Sequence, residues 1–315
     1  MDFRDLNYVL AVAKHQNITK AAESLHITQP TLSKFLLNLE KDLGQPLFRR
    51  LGHKYLLTFA GECYIKSAQE ILLIKNNLDT ELDDILKKNV GVINVAFSRM
   101  RCTYMLPGIL PKFQNIYPNI QVNVFEGSSN ENDQRLLNGQ AEIAFYSKPQ
   151  TPNPLLEYNH LRTEEMLICT PKDHPIKQFA EPNPNSRYPR LNPALLKNEL
   201  IIQLLPEQRT RQITDVYFKE HNLKFDKVMY TSSLPAIMEL VSIGYGVSFI
   251  FETHLLHHHF SQPIDCYSFG NPKMLSDFVV ASRKNSYLSS YINDFIEIAR
   301  DLMNNSQPLD FNNTL

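Results

Sequence analysis

Cysteine is scarce. The four residues Cys63, Cys102, Cys169 and Cys266 lie far apart in 315 residues, and no CxxC pair occurs. That argues against a zinc knuckle of linked Cys pairs and against a disulfide framework at this length. An excess of one charge is also lacking. Lys and Arg number 32 against 33 Asp and Glu, for a net charge of -1. Bulk charge therefore does not coat nucleic acid, and only a local basic patch is left open. Long apolar runs are missing too. The longest, Leu234 to Phe251, contains Glu239 and two glycines and reads as a helix followed by a strand. The opening MDFRDLNYVLAVAKHQ has neither the basic start nor the cleavage site of an export signal. These absences predict a cytoplasmic protein with reduced thiols. No GxSxG, HExxH or GxxxxGK[ST] motif and no fixed-period repeat occurs. The expectation is a chain that is not an enzyme, with no cofactor and no resident metal.

What is present suits a folded protein of two or three domains, with 43% hydrophobic and 21% charged residues. Three textures follow one another. Residues 1 to 58 carry short helical patterns and a basic surplus, eight Lys and Arg against five Asp and Glu. Residues 59 to 88 contain no proline and a single glycine, Gly61. Within them Tyr64, Ala68, Ile71, Lys75, Leu78, Leu82 and Ile85 alternate steps of four and three. That heptad seam predicts a helix of roughly 45 Å whose apolar side pairs with a second chain; the plainer reading packs it on its own domain. Residues 91 to 303 alternate strands and helices in two series, which predicts parallel sheets in two α/β lobes with a cleft between them. The last strand and helix are expected to return to the first lobe. Pro171 to Pro193 holds six prolines and predicts an irregular surface loop. The Asn-rich tail 304 to 315 predicts a frayed end.

Residues 17 to 58 are the most specific. Ile18, Ala21, Ala22 and Leu25 share a short helical face, and His26-Ile27 breaks it. Thr28 then caps a second helix with Pro30 in its first turn and a buried stripe of Leu32, Leu36, Leu39 and Leu43. The other face offers Gln29, Thr31, Ser33, Lys34 and Asn38, hydrogen-bonding groups plus one cation, as a surface that reads base edges and phosphates requires. Two such helices make a helix-turn-helix. A short hairpin follows, with Arg49, Arg50, His53 and Lys54 clustered as in a wing along a phosphate backbone. Any one of these basic residues alone reads as a solvated surface charge.

Here the sequence resembles the LysR-type transcriptional regulators. The resemblance rests on Phe3-Arg4-Asp5-Leu6, Asn17 through Leu25, Ile27 through Ser33, Leu39-Glu40, Leu43-Gly44, Pro46 through Arg50 and Leu57 through Gly61. It continues more weakly through Gly91 to Pro107 and through Val241 to Val247. The resemblance implies an N-terminal all-α winged helix-turn-helix with a long linker helix. It also implies a C-terminal α/β two-lobed domain similar to periplasmic binding proteins. The implied domains are 1–58 for DNA binding, 59–88 for dimerisation and 91–303 for effector sensing. The implied partners are double-stranded DNA with an imperfect dyad, a small-molecule effector, RNA polymerase, and further copies in a homodimer or homotetramer. Gln29, Pro30 and Ser33 match the recognition-helix start; Arg49, Arg50 and Lys54 match the wing.

By the same resemblance the effector lies between the lobes, at strand ends and helix N-termini. The corresponding positions are Ser98, Arg99, Ser128, Ser129, Gln203, Thr231 and Ser232. Free backbone N–H groups and helix dipoles there favour an anionic or polar metabolite. Arg99 and Arg101 sit in a bulky first loop, Ser98 to Met105, and either attract the anion or fill the cleft. Three weaker features complete the reading. His254 and His258 have metal-site spacing if helical, although an exposed helix end or loop is the plainer reading. Cys102, beside arginines, suits a lowered thiol pKa, yet no resolving cysteine is near in sequence. Two rivals from other classes are a solute-binding protein with an added helical domain and an α/β enzyme with a winged-helix appendage. The first lacks an export signal, and the second lacks an acid/base set.

Overall fold

The computed structural model describes residues 2–52, 54–85, 90–255, 258 and 260–305. It divides into two compact units, Met1–Lys87 and Lys88–Leu315.

In the first unit, Asp2 and Asp5 form a capping box at the start of α1 (Phe3–His15). The Asn17 side chain accepts the first N–H groups of α2 (Ile18–Ser24). A break at His26, in the left-handed region, leads into α3 (Gln29–Leu43), capped by Thr28 with Pro30 in its first turn. Val9, Val12, Ile18, Ala21, Ala22, Leu32 and Leu36 close a small core. Leu39 is only half-buried and Leu43 is 43% exposed, so the predicted stripe stops a turn short of the helix end. β1 (Phe48–Leu51) and β2 (Lys54–Leu57) pair antiparallel, and α4 (Phe59–Ile85) follows.

Along α4 the seam changes character. Tyr64 is half-buried and Ala68 buried beneath α1, but Leu78 and Leu82 are half exposed. The side chain of Ile85 lies outside the described residues, as do residues 86–89.

The second unit opens with a βαβ series. It comprises β3 (Gly91–Ser98), α5 (Arg99–Ile116), β4 (Ile120–Gly127), α6 (Ser129–Leu137) and β5 (Ile143–Ser147). β3 pairs parallel with both β4 and β5. The second series is β7 (Leu200–Leu204), α7 (Arg209–Glu220), β8 (Lys227–Thr231), α8 (Leu234–Ser242), β9 (Ser248–Phe251) and the single turn α9 (Glu252–Leu255). The expected return also occurs. β11 (Leu275–Arg283) pairs antiparallel with β5, and α10 (Ser290–Asn305) packs Phe295 edge-on against Phe113 of α5.

Four expectations need correction. The seven-stranded sheet is mixed rather than parallel, whereas β7 and β8 pair parallel as expected. A 16-residue strand, β6 (Leu156–Pro171), pairs antiparallel with β11 and then with β9 and β10 (Ile264–Ser268). It therefore carries the chain from one lobe into the other, and its polar first half, LEYNHLRTEE, hides it from periodicity. Residues 99–105 are helix rather than loop. α5 runs through Pro107 and Pro111 because Cys102, Tyr104, Met105, Ile109 and Phe113 are buried on one side, and packing outweighs the proline penalty. The Pro-rich stretch is packed rather than loose. It folds into 3-10 turns at Pro175–Phe179 and Pro193–Leu196, a bridge joins Glu181 to Arg190, and Ile176, Tyr188 and Leu191 are buried. At the other end, α10 includes Asn304 and Asn305, and residues 306–315 lie outside the described residues.

The docking of α4 is tight at Gly61. A Cβ there would lie 2.0 Å from the Leu47 carbonyl oxygen. Gly61→Ala should therefore destabilise the first unit by about 1–3 kcal/mol, despite the usual helix gain from alanine. The check is thermal unfolding; an unchanged midpoint would show that the contact is not fixed.

Candidate functional site

Two regions assemble the singled-out residues. The first is the outer face of α3. Pro30, Thr31, Lys34 and Asn38 are exposed, while Gln29 and Ser33 sit half-buried at its margin. Thr28 is committed to the cap: its hydroxyl accepts from the Thr31 N–H and lies 2.8 Å from the Thr31 hydroxyl. Leu37, missed by the sequence reading, is 67% exposed in the middle of this face. An apolar contact of that kind suits a thymine methyl.

The wing is tied to α3 by one carboxylate. Glu40 Oε1 accepts from the backbone N–H of Leu47 at 2.7 Å and of Phe48 at 3.0 Å. The strand register then sorts the cations. Arg49 lies opposite Leu56 and Lys54 opposite Leu51, so Arg49 and Lys54 share a face. Arg50 lies opposite Tyr55 on the other face. Its Nε donates to the Tyr55 hydroxyl at 2.9 Å, and its guanidinium sits 4.9 Å from the ring centroid. His53 lies outside the described residues.

The second region is a cavity of about 550 Å³ between the lobes of the second unit. Ser98, Arg99, Arg101, Ser128, Ser129 and Ser232 line it, as the sequence reading placed them. Gln203 and Thr231 are absent from its wall. Gln203 instead lines a separate small cavity, together with Ile202 and Leu204. Thr231 instead accepts the Ser233 N–H. Arg209 and His254 were missed. Arg209 opens α7 one residue before the expected helix start, and His254 had suggested only metal spacing.

Four helix N-termini converge here, those of α5, α6, α7 and α8. Ser128 and Ser233 cap their own helices. Ser98 and Gln208 make no side-chain cap, so the first N–H groups of α5 and α7 are without one. The field at these ends favours an anion. Glu126, Glu131 and Glu207 oppose it at the wall, but Glu131 is spent in the α6 capping box, whose hydrogen bonds hold its carboxyl below the usual range.

Arg101 is not a free cation. Its Nη2 meets Glu164 Oε1 at 2.5 Å and the Ser147 hydroxyl at 2.9 Å, and its guanidinium lies 3.8 Å from the Phe278 centroid. Nη1 donates to the Tyr104 hydroxyl at 2.9 Å, and Thr253 donates to the other oxygen of Glu164. Both charges are fully buried. The anion-attracting role expected of Arg101 is therefore corrected to an internal ion pair, and the cleft stays open beside it.

The thiol reading is also reversed. Burial, with the Glu126 carboxylate beside it, pushes Cys102 up to about 12. His254 is buried instead of exposed, His258 bonds Glu239 at 2.8 Å, and His257 and His259 lie outside the described residues. Among the described residues, no group of three His, Cys, Asp or Glu could hold a metal ion.

A winged helix-turn-helix joined to a two-lobed α/β domain defines the class of DNA-binding, ligand-responsive regulators. Residues 3–62 match the bacterial regulatory helix-turn-helix protein, lysR family, and residues 87–304 match the LysR substrate binding domain. The chain belongs to the LysR family of transcriptional regulators. The uncharacterized HTH-type transcriptional regulator YybE of Bacillus subtilis is 27% identical over 250 residues, covering 79% of this chain and 82% of its own. A full-length OxyR variant from Pseudomonas aeruginosa shares the fold, with a TM-score of 0.72 at 22% identity over 98% of this chain and 96% of its own. CbnR in complex with its target DNA has a TM-score of 0.61 at 21% identity, over 96% and 99%.

The Arg101–Glu164 pair yields a direct test. Glu164→Gln leaves a buried guanidinium without its counter-charge and should lower the unfolding free energy by about 3–5 kcal/mol. The double variant R101M/E164L, which removes both charges, should recover most of that loss. Denaturant unfolding distinguishes the two; equal losses would show that the charges are not coupled.

Proposed function

We propose that this regulator works as a dimer, or a dimer of dimers, on a duplex site of imperfect two-fold symmetry. The observation that carries the reading is the polar, singly cationic outer face of α3 beside the Arg49–Lys54 face of the wing. Gln29, Thr31, Ser33 and Asn38 address base edges with Leu37, and Lys34, Arg49, Arg50 and Lys54 address phosphates. Arg50 arrives held against Tyr55. CbnR, which shares this fold, is solved in complex with its target DNA. The half-exposed Leu78 and Leu82 of α4 are the surface that a second copy covers. The inter-lobe cavity takes a small anionic or polar metabolite, and binding there alters DNA bending or contact with RNA polymerase. The role is regulatory rather than catalytic and is exercised in the cytoplasm; no helix among the described residues is long and apolar enough to cross a membrane.

Four cations per protomer give about eight neutralised phosphates in a dimer, so log affinity should fall against log salt with a slope of roughly -7. The measurement is a salt titration on DNA from the protein's own upstream region. Replacing Arg49 and Lys54 together by Ala removes about four contacts and should bring the slope to roughly -3.5. A wild-type slope near zero would defeat the contact set.

A second test concerns assembly. Leu78→Lys with Leu82→Lys places four like charges across a paired seam and should shift the protein to monomers in sedimentation. Affinity for a two-fold site should drop with it, whereas an unchanged oligomer would show that α4 is not the pairing surface.

A further inference from the structure

Leu37 is the most exposed large hydrophobic side chain of α3, at 67%. The helix has two sides. Leu32 and Leu36 are buried in the core of the first unit, with Phe35 and Leu39 packed partly against it. Leu43, the other exposed large hydrophobic of α3, continues that stripe from Leu36 and Leu39 at steps of three and four. Leu37 does not. It shares a line with Pro30, Lys34 and Lys41, at steps of four, three and four, and all four residues are exposed. An apolar side chain thus stands on the side of α3 turned away from the core, between two lysines.

So exposed a side chain adds little to the fold, and its neighbours on that line are cations rather than apolar groups. One side chain is too small a patch to hold a protein partner. A duplex differs, because its groove floor offers single methyl groups among hydrogen-bonding atoms. In the major groove the C5-methyl of thymine projects beside O4, whereas cytosine presents an amino donor and the purines present N7. Leucine neither donates nor accepts. Pressed on a polar base edge, it strips water from that edge and returns nothing. Pressed on a methyl group, it removes apolar surface from water on both partners.

The leucine is also presented in a fixed place. Thr28 caps α3, and Glu40, one turn beyond Leu37, accepts from the Leu47 and Phe48 N–H groups of the wing. Leu37 therefore keeps a set position relative to Arg49 and Lys54 when those meet phosphates. A contact as small as one methyl group separates bases only when its place is set before binding.

We propose that Leu37 reads the C5-methyl group of one pyrimidine in each half-site. Thymine and 5-methylcytosine are preferred there to uracil and cytosine, so a half-site with cytosine at that position responds to its methylation. The inference rests on the reading of α3 as the duplex-reading helix and names the base feature that it selects.

The test is uracil interference with the full chain on DNA from its own upstream region. Uracil replaces thymine at random and removes only the methyl group; bound and free DNA are separated on a gel and cleaved at uracil. With wild type, uracil at one thymine in each half-site should deplete the bound fraction about three- to fivefold. With Leu37→Ala the depletion at that thymine should vanish, and with Leu37→Met, which keeps an apolar side chain, it should persist. In defined duplexes with cytosine at that position of both half-sites, 5-methylcytosine should raise wild-type affinity about ten- to twentyfold over cytosine and leave Leu37→Ala unmoved. Substitution at so exposed a position leaves the unfolding midpoint in place, and the wild-type arms need no substitution.

Identical interference patterns for wild type and Leu37→Ala overturn the proposal, as does equal affinity for cytosine and 5-methylcytosine. Thr31 is the other exposed side chain of the face with a methyl group; a uracil effect that follows Thr31→Ser instead also overturns it. So does a Leu37→Ala variant that binds no DNA, since one methyl contact per half-site is worth only the stated factor. A salt-dependent shift without any uracil effect removes the Leu37 contact alone and leaves the DNA reading standing. No shift, or one indifferent to salt, removes the DNA reading itself.

Discussion

One buried ion pair ties together distant segments of the sensing domain. Glu164 lies on β6 beside the point where that strand leaves β11 and takes up β9 and β10. Arg101 reaches it from the first turn of α5, and Thr253 reaches it from the turn after β9. Three segments distant in sequence therefore meet on one carboxylate. Taking two charges out of water is costly, and their attraction offsets that cost only when geometry and extra hydrogen bonds are good. Here Ser147, Tyr104 and the Phe278 face supply them. The pair joins α5 to β6, and the four helix ends surround the cavity beside it.

The DNA-reading unit solves a similar problem with less. Its core is small, and the wing has only two four-residue strands. Glu40 compensates by accepting two wing N–H groups from the body of α3, so the reading helix and the wing move as one piece. Tyr55 then removes freedom from Arg50 before any duplex is met. Order imposed in the free protein reduces the entropy lost on binding, which is the general advantage of a preformed contact surface.

How far the sequence could be read depended on how local each signal was. The helix-turn-helix is written in caps and spacing: Thr28 and Pro30 act within four residues and stand where they were expected, and Asn17 and Gly44 cap helix ends in the same local way. Ser98, Ser128, Ser129 and Ser232 were placed by the family resemblance, and all four line the cavity. Failures came where tertiary packing decides. Pro107 looked like a helix start, yet two earlier turns are helical because their buried side chains demand it. β6 pairs with strands about 80 to 120 residues away, a relation that no window reveals. Gln203 lines the smaller cavity, and it is its neighbour Leu204 that also lines the larger one. The role of Arg101 depends on Glu164 and the surroundings of His254 on Tyr104, partners far away in sequence.

The cavity's polarity bears on how a bound molecule acts. A ligand shifts a conformational equilibrium only by the difference in its affinity for the two arrangements. A cavity built within one lobe would give little difference. This one draws helix ends from both, and two contacts already cross it: Arg209 to Asp133 and Asn130, and Arg101 to Thr253 at 3.4 Å. The second belongs to a saturated, buried network. The first has a divided counter-ion, because Asp133 also accepts from Tyr146, and an unsatisfied donor in Arg209 Nε. A ligand touching both sides of that link would have a binding energy that depends on how closely the lobes approach. That dependence is the physical requirement for a signal to leave the cleft.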